Sequence, residues 1–168
     1  MNYSEAKAKF IQTWGSLGSH WGINRTMAQI HALLLVSRQA LSTEDIMHEL
    51  TISRGNTNMN VRALIDWGLV DKELRAGERR EYFYAFKDVN VIARQIAQER
   101  KKRELDPLRK VLKQINEEVQ GDSPGVKELK KVTSNVADFS DVTNQMLEVF
   151  VKSGGGNWLS NLLLKIMK

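Results

Sequence analysis

The sequence predicts a mainly α-helical protein with a small β-hairpin, followed by a helical region suited to dimerisation. Three observations support this fold class. A short capped helix is followed, after a tight break, by a second capped helix. β-branched and aromatic residues flank a glycine-bearing break within residues 69–86, which is typical of a hairpin. Apolar residues then recur at helical spacing through much of residues 89–151.

The short helix and the break behind it have the spacing of a helix-turn-helix. Ser42 is a suitable N-cap, and Glu44 and Asp45 suit the positive end of the helix dipole. The helix ends by Thr51, and Ser53 caps the next helix after only two or three connecting residues. This sharp turn matches a DNA-binding helix-turn-helix better than a loop between bundle helices.

The second helix has polar side chains at its front and apolar ones toward its back. Asparagine and threonine are mediocre helix formers, so helix propensity does not explain their concentration here. In a major groove, arginine can pair with guanine and asparagine with adenine. An alternative is a solvated polar face. With the capping Ser53, the predicted DNA-binding residues of this helix are Arg54, Asn56, Thr57, Asn58, Asn60 and Arg62.

The hairpin predicted after this helix has a basic tip. Gly68 is placed to end the helix, and the strands flank a turn at Ala76, Gly77 and Glu78. Such a wing beside a reading helix can contact phosphates or a minor groove. An alternative is an edge hairpin whose charges keep other strands away. The predicted wing contacts are Arg75, Arg79 and Arg80. Together these signals predict a winged helix-turn-helix.

A family resemblance is found in residues 53–70 and 77–84, in Trp21 to Arg25 before them and in Arg100 to Pro107 after them. In these segments the chain resembles the GbsR-type branch of the MarR-like bacterial transcriptional regulators. The resemblance covers most of residues 10–110. It implies a dimeric repressor or activator whose DNA affinity can respond to a small molecule. It does not name that ligand, the target genes or the direction of regulation.

Asn24 is a suitable N-cap for the first helix of the winged module at 23–88. Helices are also predicted on both sides of this module. Residues 1–22 are predicted to form a helix with a stripe that includes Gly15, Gly18 and Gly22. This stripe indicates close packing against another helix, of this chain or of a second subunit. We expect this helix to pack with the dimerisation region, residues 89–168. There, a long helix runs from Val89 to about Val119, and Pro107 should kink it or restart it behind Asp106.

A further helix is predicted from about residue 126 to 151, with an apolar face too large to leave in water. We interpret it as a dimerisation layer, and packing within the chain is the alternative. Gly154 to Gly156 are predicted to form a hinge before a short helix, Trp158 to Met167. The basic stretch Arg100 to Arg103 is most simply a solvated face.

Composition agrees with a compact regulator. The chain has 168 residues, a formal net charge of +5 and no cysteine. A modest basic excess favours a polyanionic partner, and a solvated surface explains it almost as well. Absence of cysteine excludes disulfides and thiolate metal sites and fits a reducing cytoplasm. No signal peptide and no stretch of about 20 apolar residues is present, so we expect a cytoplasmic protein without a membrane span.

Neither catalysis nor a cofactor is predicted. His20, His31 and His48 stand apart without the spacing of a metal site, and no serine, histidine and acid arrangement has local support. The glycines at 55 and 77 belong to no dinucleotide fingerprint, and the run at 154–156 is not a phosphate loop. We therefore expect no enzyme, no metal and no cofactor.

Tryptophans offer a candidate effector site. The resemblance implies that Trp14, Trp21 and Trp67 lie near the junction of the reading module and the dimer layer. GbsR-type relatives include regulators tied to choline and glycine betaine, and quaternary ammonium groups bind aromatic faces. Aromatic residues at helical spacing nonetheless belong more often to the hydrophobic core than to an aromatic cage that binds a ligand.

Three hypotheses follow. The first is a homodimeric regulator that binds double-stranded DNA at a pseudo-palindromic operator. The second is a winged-helix module that binds protein, which would leave the polar helix front unused. The third is a small-molecule binding protein or enzyme without DNA function. Salt-dependent affinity for DNA separates the first hypothesis from the others.

Overall fold

The computed structural model describes residues 1–20 and 23–152. The chain divides into two compact units, with the boundary between Asp88 and Val89. The first unit contains α1 (Tyr3–His20), α2 (Arg25–Val36), β1 (Leu41–Ser42), α3 (Thr43–Leu50), α4 (Arg54–Asp66), β2 (Val70–Leu74) and β3 (Glu81–Ala85). This is the predicted helix-turn-helix with its hairpin.

Side-chain caps fix where these helices begin. The Asn24 Oδ1 atom accepts from the backbone N–H of Thr26 at 2.8 Å and starts α2. Ser42 and Asp45 form a reciprocal capping box that starts α3, in which each side chain accepts from the other residue's backbone N–H. Ser53 accepts from the Asn56 N–H at 3.3 Å and starts α4. The caps at Asn24, Ser42 and Ser53 are those that the sequence predicted.

The sheet has three antiparallel strands in the order β1-β3-β2. The hairpin was predicted, whereas the first strand was not. Leu41 and Ser42 pair with Phe83 and Tyr82, so the stretch before α3 both caps the helix and adds an edge strand. A two-residue strand carries no periodicity that sequence reasoning could detect. Behind the sheet and helices lies an apolar core of Ile30, Leu33, Leu34, Ile46, Leu64, Leu69 and Phe83.

The N-terminal helix lies against α2 of its own unit. Ile11, Gly15 and Gly18 form its buried face. A Cβ atom at Gly18 would lie 2.5 Å from the Ala28 Cβ, so only glycine lets the two backbones approach this closely. The predicted close packing is therefore present, and its partner within this unit is α2. The expected packing of this helix with residues 89–168 stays a prediction.

We expect Gly18→Ala to lower the free energy of unfolding by about 1–3 kcal/mol, because the opposing Ala28 Cβ is fixed to backbone and cannot rotate away. Urea denaturation measures the change. The matched control is Gly55→Ala in α4, where nothing lies within 4 Å of the added Cβ. There the gain in helix propensity should leave stability unchanged or raise it by up to about 1 kcal/mol. Equal effects of the two substitutions would contradict the packing argument.

The second unit consists of helices. It contains α5 (Val89–Arg100), a π-helical turn (Lys101–Leu105), α6 (Asp106–Glu118) and α7 (Pro124–Lys152). The long helix predicted over 89–119 is thus interrupted. Pro107 lies in the first turn of α6, where its missing N–H costs no hydrogen bond, so the restart predicted behind Asp106 occurs at Asp106 itself. The π-helical turn was not predicted.

Helix α7 has an unusual distribution of polar and apolar side chains. It packs against α5 and α6. Its buried residues are polar: Thr133, Ser140 and Asn144. The Thr133 hydroxyl donates to the Asn116 side-chain oxygen on α6, and the Ser140 hydroxyl donates to the Val136 carbonyl at 2.7 Å. Six large apolar residues lie elsewhere on the helix and are exposed: Leu129, Val132, Val136, Phe139, Val142 and Met146.

Within the described residues, no helix is long and apolar enough to cross a membrane. The predicted hinge at 154–156 and the predicted helix at 158–167 lie outside the described residues.

Candidate nucleic-acid interface

A tight turn joins α3 to α4. Thr51 adopts the left-handed conformation, with φ of 53°, and the Ile52 N–H donates to the Met47 carbonyl at 3.2 Å. These bonds satisfy the last carbonyls of α3 while the chain reverses, and the Ser53 cap then starts α4. The Thr43 hydroxyl also reaches the Asn58 side-chain oxygen at 3.4 Å, so the front of α4 is tied to the start of α3.

One face of α4 points to solvent. Its residues follow helical spacing at steps of three and four: Gly55, Asn58, Met59 and Arg62. Arg54 is also exposed, at the first turn, and Asn56 is half-buried. The structure therefore places three of the predicted residues, Arg54, Asn58 and Arg62, on the exposed side of α4. The half-buried Asn56 instead accepts from the Asn60 amide through its side-chain oxygen, at 2.7 Å.

Two of the predicted DNA-binding residues lie away from the exposed face of α4. Thr57 and Asn60 are both buried. The Thr57 hydroxyl donates to the Ser53 carbonyl at 3.0 Å, and the Asn60 amide donates to the Asn56 carbonyl at 2.8 Å. Both bonds stay within the helix, which is how a polar side chain is accommodated on the face that packs inward. Ser53 keeps a structural role as the cap of α4.

Three arginines of the interface are already paired with carboxylates. Arg54 binds Glu44 at 2.7 Å, Arg75 binds Glu73 at 2.9 Å, and Arg62 binds Glu81. Exposed ion pairs of this kind are each worth only about 0–1 kcal/mol. They can therefore be exchanged for phosphates or base edges at little cost.

Glu81 connects α4 to the base of the wing. Besides Arg62, it binds Lys72 on the neighbouring strand at 2.6 Å. The Lys72 ammonium and then the Arg62 guanidinium, both hydrogen-bonded to this carboxylate, lower the pKa of Glu81. The Arg62 guanidinium also lies 6.0 Å from the centre of the Phe83 ring. Arg62 is thus oriented by groups of the hairpin before any ligand arrives.

The wing tip presents two arginines that form no ion pair within the part of the chain that the structure describes. The loop between β2 and β3 is closed by a bond from the Glu78 N–H to the Arg75 carbonyl at 3.0 Å, with Gly77 at φ of 81°. Arg75 stacks on the Tyr82 ring, 3.7 Å from its centre. Arg79 and Arg80 are exposed, and neither forms an ion pair with the described residues. They are free to meet an anion.

Sequence reasoning missed Met59 and Glu81. Met59 was detectable, because it precedes Arg62 by three residues and follows Gly55 by four, which places it on the same helix face. Glu81 was not detectable, because its pairing with Arg62 joins residues 19 positions apart across the fold.

Two of the three tryptophans of the predicted effector site, Trp14 and Trp67, lie in the described residues. Trp14 is half-buried, with its ring centre 5.6 Å from Phe10 and 6.1 Å from His31. Trp67 is buried at the C-terminal end of α4. Trp21 lies outside the described residues. The effector site stays a prediction. No group of three or more metal-ligating side chains occurs over residues 1–20 and 23–152.

Comparisons with known proteins agree with this architecture. The MarR family model matches residues 21–81. A solved structure similar to this chain is the crystal structure of a transcriptional regulator. It is 19% identical, has a TM-score of 0.57 and matches over 82% of this chain and 95% of that chain. The comparison with curated proteins gives no match. At this identity the likeness shows the fold, a MarR-like winged helix, and the predicted fold class is confirmed.

Proposed function

We propose that this chain is a DNA-binding transcriptional regulator that acts as a homodimer on a pseudo-palindromic operator. The observation that carries the proposal is the surface formed by α4 and the wing. Asn58 and Arg62 project from one exposed helix face, and the exposed Arg79 and Arg80 lie on the adjoining hairpin. The MarR family match over this segment and the fold of the solved regulator support the same function.

The two parts of this surface have different roles. In a major groove, Arg62 can donate two hydrogen bonds to a guanine and Asn58 can pair with an adenine. The wing arginines add affinity and positioning through phosphates, without base information. Before DNA binds, the exposed ion pairs with Glu44 and Glu81 hold the guanidinium groups of Arg54 and Arg62 at the surface.

The homodimer is supported by α7. Leu129, Val132, Val136 and Phe139 follow one another at steps of three, four and three, and all are exposed. This is the spacing of a helix–helix seam. Because the other face of α7 already packs within its own unit through polar residues, the apolar stripe is available for a second subunit. Two linked α4 helices would then enter successive major grooves about 34–36 Å apart.

The proposal has two finer parts, a small-molecule effector and membership of the GbsR-type branch. A small-molecule effector would act by favouring one dimer geometry over another, and its effect is bounded by its preference between the two. Membership of the GbsR-type branch would follow from the resemblance of the module and its flanks. Both stay predictions. Tryptophan fluorescence titrated with choline and betaine, in parallel with DNA affinity, tests the first.

The function is tested by gel shift of the full chain against the DNA upstream of its own gene and against random DNA, over a range of salt concentrations. We expect a specific complex whose affinity falls with salt. Ligand or protein binding without salt-dependent DNA affinity would favour the alternative functions.

Arg62→Ala should weaken binding to the operator about 5- to 150-fold, the effect of roughly 1–3 kcal/mol of base discrimination, with a much smaller loss on random DNA. The fold should tolerate this change, since Glu81 keeps Lys72 as a partner. Competition gel shifts with the two DNAs measure the ratio.

Arg109→Ala is the matched control, because it removes the same charge from an arginine that pairs with Asp141 at 2.7 Å in the helical unit. This variant should keep the wild-type ratio of affinity for the operator to affinity for random DNA. Replacing Arg79 and Arg80 should instead weaken binding to the operator and to random DNA by the same factor, since contacts to phosphates do not depend on the base sequence. Equal losses on both DNAs for Arg62→Ala would contradict base reading by this residue.

A further inference from the structure

Met59 is the most exposed apolar side chain on α4. It is 61% exposed, whereas Val61 and Leu64 of the same helix are buried. Isolated exposed apolar residues are common on protein surfaces and need no explanation in general. Met59 differs in its position, because it lies at the middle of the outward face of α4, between Gly55 and Arg62.

Its surroundings leave the side chain open to a ligand. Gly55 lies one turn before Met59 on the same face, and nothing is found within 4 Å of where a Cβ at Gly55 would be. The neighbouring side chains of this face, Asn58 and Arg62, are polar or charged. Met59 is therefore not part of an apolar patch that another protein would cover. It is a single apolar contact within a polar surface.

A DNA major groove offers one apolar group of matching size. Thymine presents its 5-methyl group there, and it is the only methyl group that the unmodified bases offer in this groove. A 5-methylcytosine presents the same group. The unbranched, polarisable methionine side chain can adapt to a methyl group at somewhat different depths in the groove.

We propose that Met59 is a specificity-determining residue that contacts the 5-methyl group of a pyrimidine, at a base pair beside those contacted by Asn58 and Arg62. The inference rests on the proposed function, since it requires that α4 enter a major groove. It adds an apolar determinant to a surface otherwise made of hydrogen-bonding groups.

The test uses the full chain and its operator. Each thymine of one half-site is replaced in turn by deoxyuridine, which lacks only the methyl group, and each cytosine by 5-methylcytosine. We expect one deoxyuridine position to weaken binding by the wild-type protein roughly three- to fivefold, the effect of exposing one buried methyl. Met59→Ala should bind the thymine and deoxyuridine operators equally at that position, and Met59→Leu should restore part of the difference.

Leu74→Ala is the matched control, because Leu74 is an exposed apolar residue of the wing that lies outside α4. It should keep the wild-type sensitivity to deoxyuridine. A response to 5-methylcytosine alone, abolished in Met59→Ala, would support the proposal with methylated cytosine as the source of the methyl group.

Two results would overturn the inference while the proposed function stands. One is operator binding that is insensitive to every methyl group added or removed. The other is a methyl dependence that persists unchanged in Met59→Ala, which would assign the contact to another residue. Failure of the wild-type protein to bind any duplex DNA would instead refute the proposed function, and the inference with it.

Discussion

Replacing Phe139 by glutamate is expected to produce a monomer and to weaken operator binding by on the order of 10²-fold or more. Phe139 is 73% exposed, so the change leaves the core of the chain untouched. In a dimer seam, however, the substitution would bury an unpaired charge on each subunit, which is strongly unfavourable. The loss of operator affinity follows because two half-sites bound by one dimer gain from effective concentration, typically by 10²- to 10⁴-fold.

Sedimentation equilibrium and operator gel shifts measure the two effects. Ser134→Glu is the matched control, since Ser134 is exposed on α7 but lies away from the apolar stripe. It adds the same charge to the same helix and should leave both the dimer and its affinity intact. A dimer of wild-type stability in the Phe139 variant would show that the stripe is not the interface.

Acidification from pH 6.5 to pH 4 is expected to lower the free energy of unfolding through His31 by about 3 kcal/mol, at roughly 1.4 kcal/mol for each pKa unit. His31 is buried, its Nε2 atom has no hydrogen-bond partner, and burial lowers its pKa from 6.5 to about 4. Between these two values the unfolded chain binds a proton that the folded chain does not. Stability is therefore full above pH 6.5, falls as the pH decreases, and levels off below pH 4.

The measurement is urea denaturation across this pH range. His31→Leu should remove most of the slope and leave stability at pH 7 unchanged or higher, because an unsatisfied buried nitrogen is lost. His48 is exposed on α3, so His48→Gln should retain the slope. Parallel pH profiles for the wild type and His31→Leu would contradict this account. Below about pH 4, protonation of Asp45, whose pKa is lowered mainly by the Ser42 hydroxyl, adds a further loss.

The division of α4 into an outward and an inward face shows how far sequence reasoning reached. Val61 and Leu64 were correctly assigned to the inward face. Thr57 and Asn60 precede these two residues by four positions each, so the same helical period places them inward as well. Because both side chains are polar, the sequence analysis instead placed them at the front of the helix, toward DNA. The structure buries them because each side chain bonds to a carbonyl of its own helix, which satisfies its donor without water.

Helix α7 shows a different limit of prediction from the sequence. The sequence indicated an apolar face on this helix and could not say which neighbour covers it. The structure packs Thr133 and Asn144 inward and leaves Phe139 and Met146 exposed. Hydrophobic periodicity finds a stripe, but it does not tell an intrachain contact from an intersubunit one.

The sequence by itself determined the local features of this protein. These features are the caps at Asn24, Ser42 and Ser53, the glycine-bearing hairpin and the restart of the helix near Pro107. Each depends on residues that are neighbours in the chain, so the sequence alone is enough to predict it. Only the tertiary structure decided the pairing of Arg62 with Glu81, the third strand and the contact of Gly18 with Ala28. Each of these joins groups from different elements, and their proximity depends on how the whole chain packs.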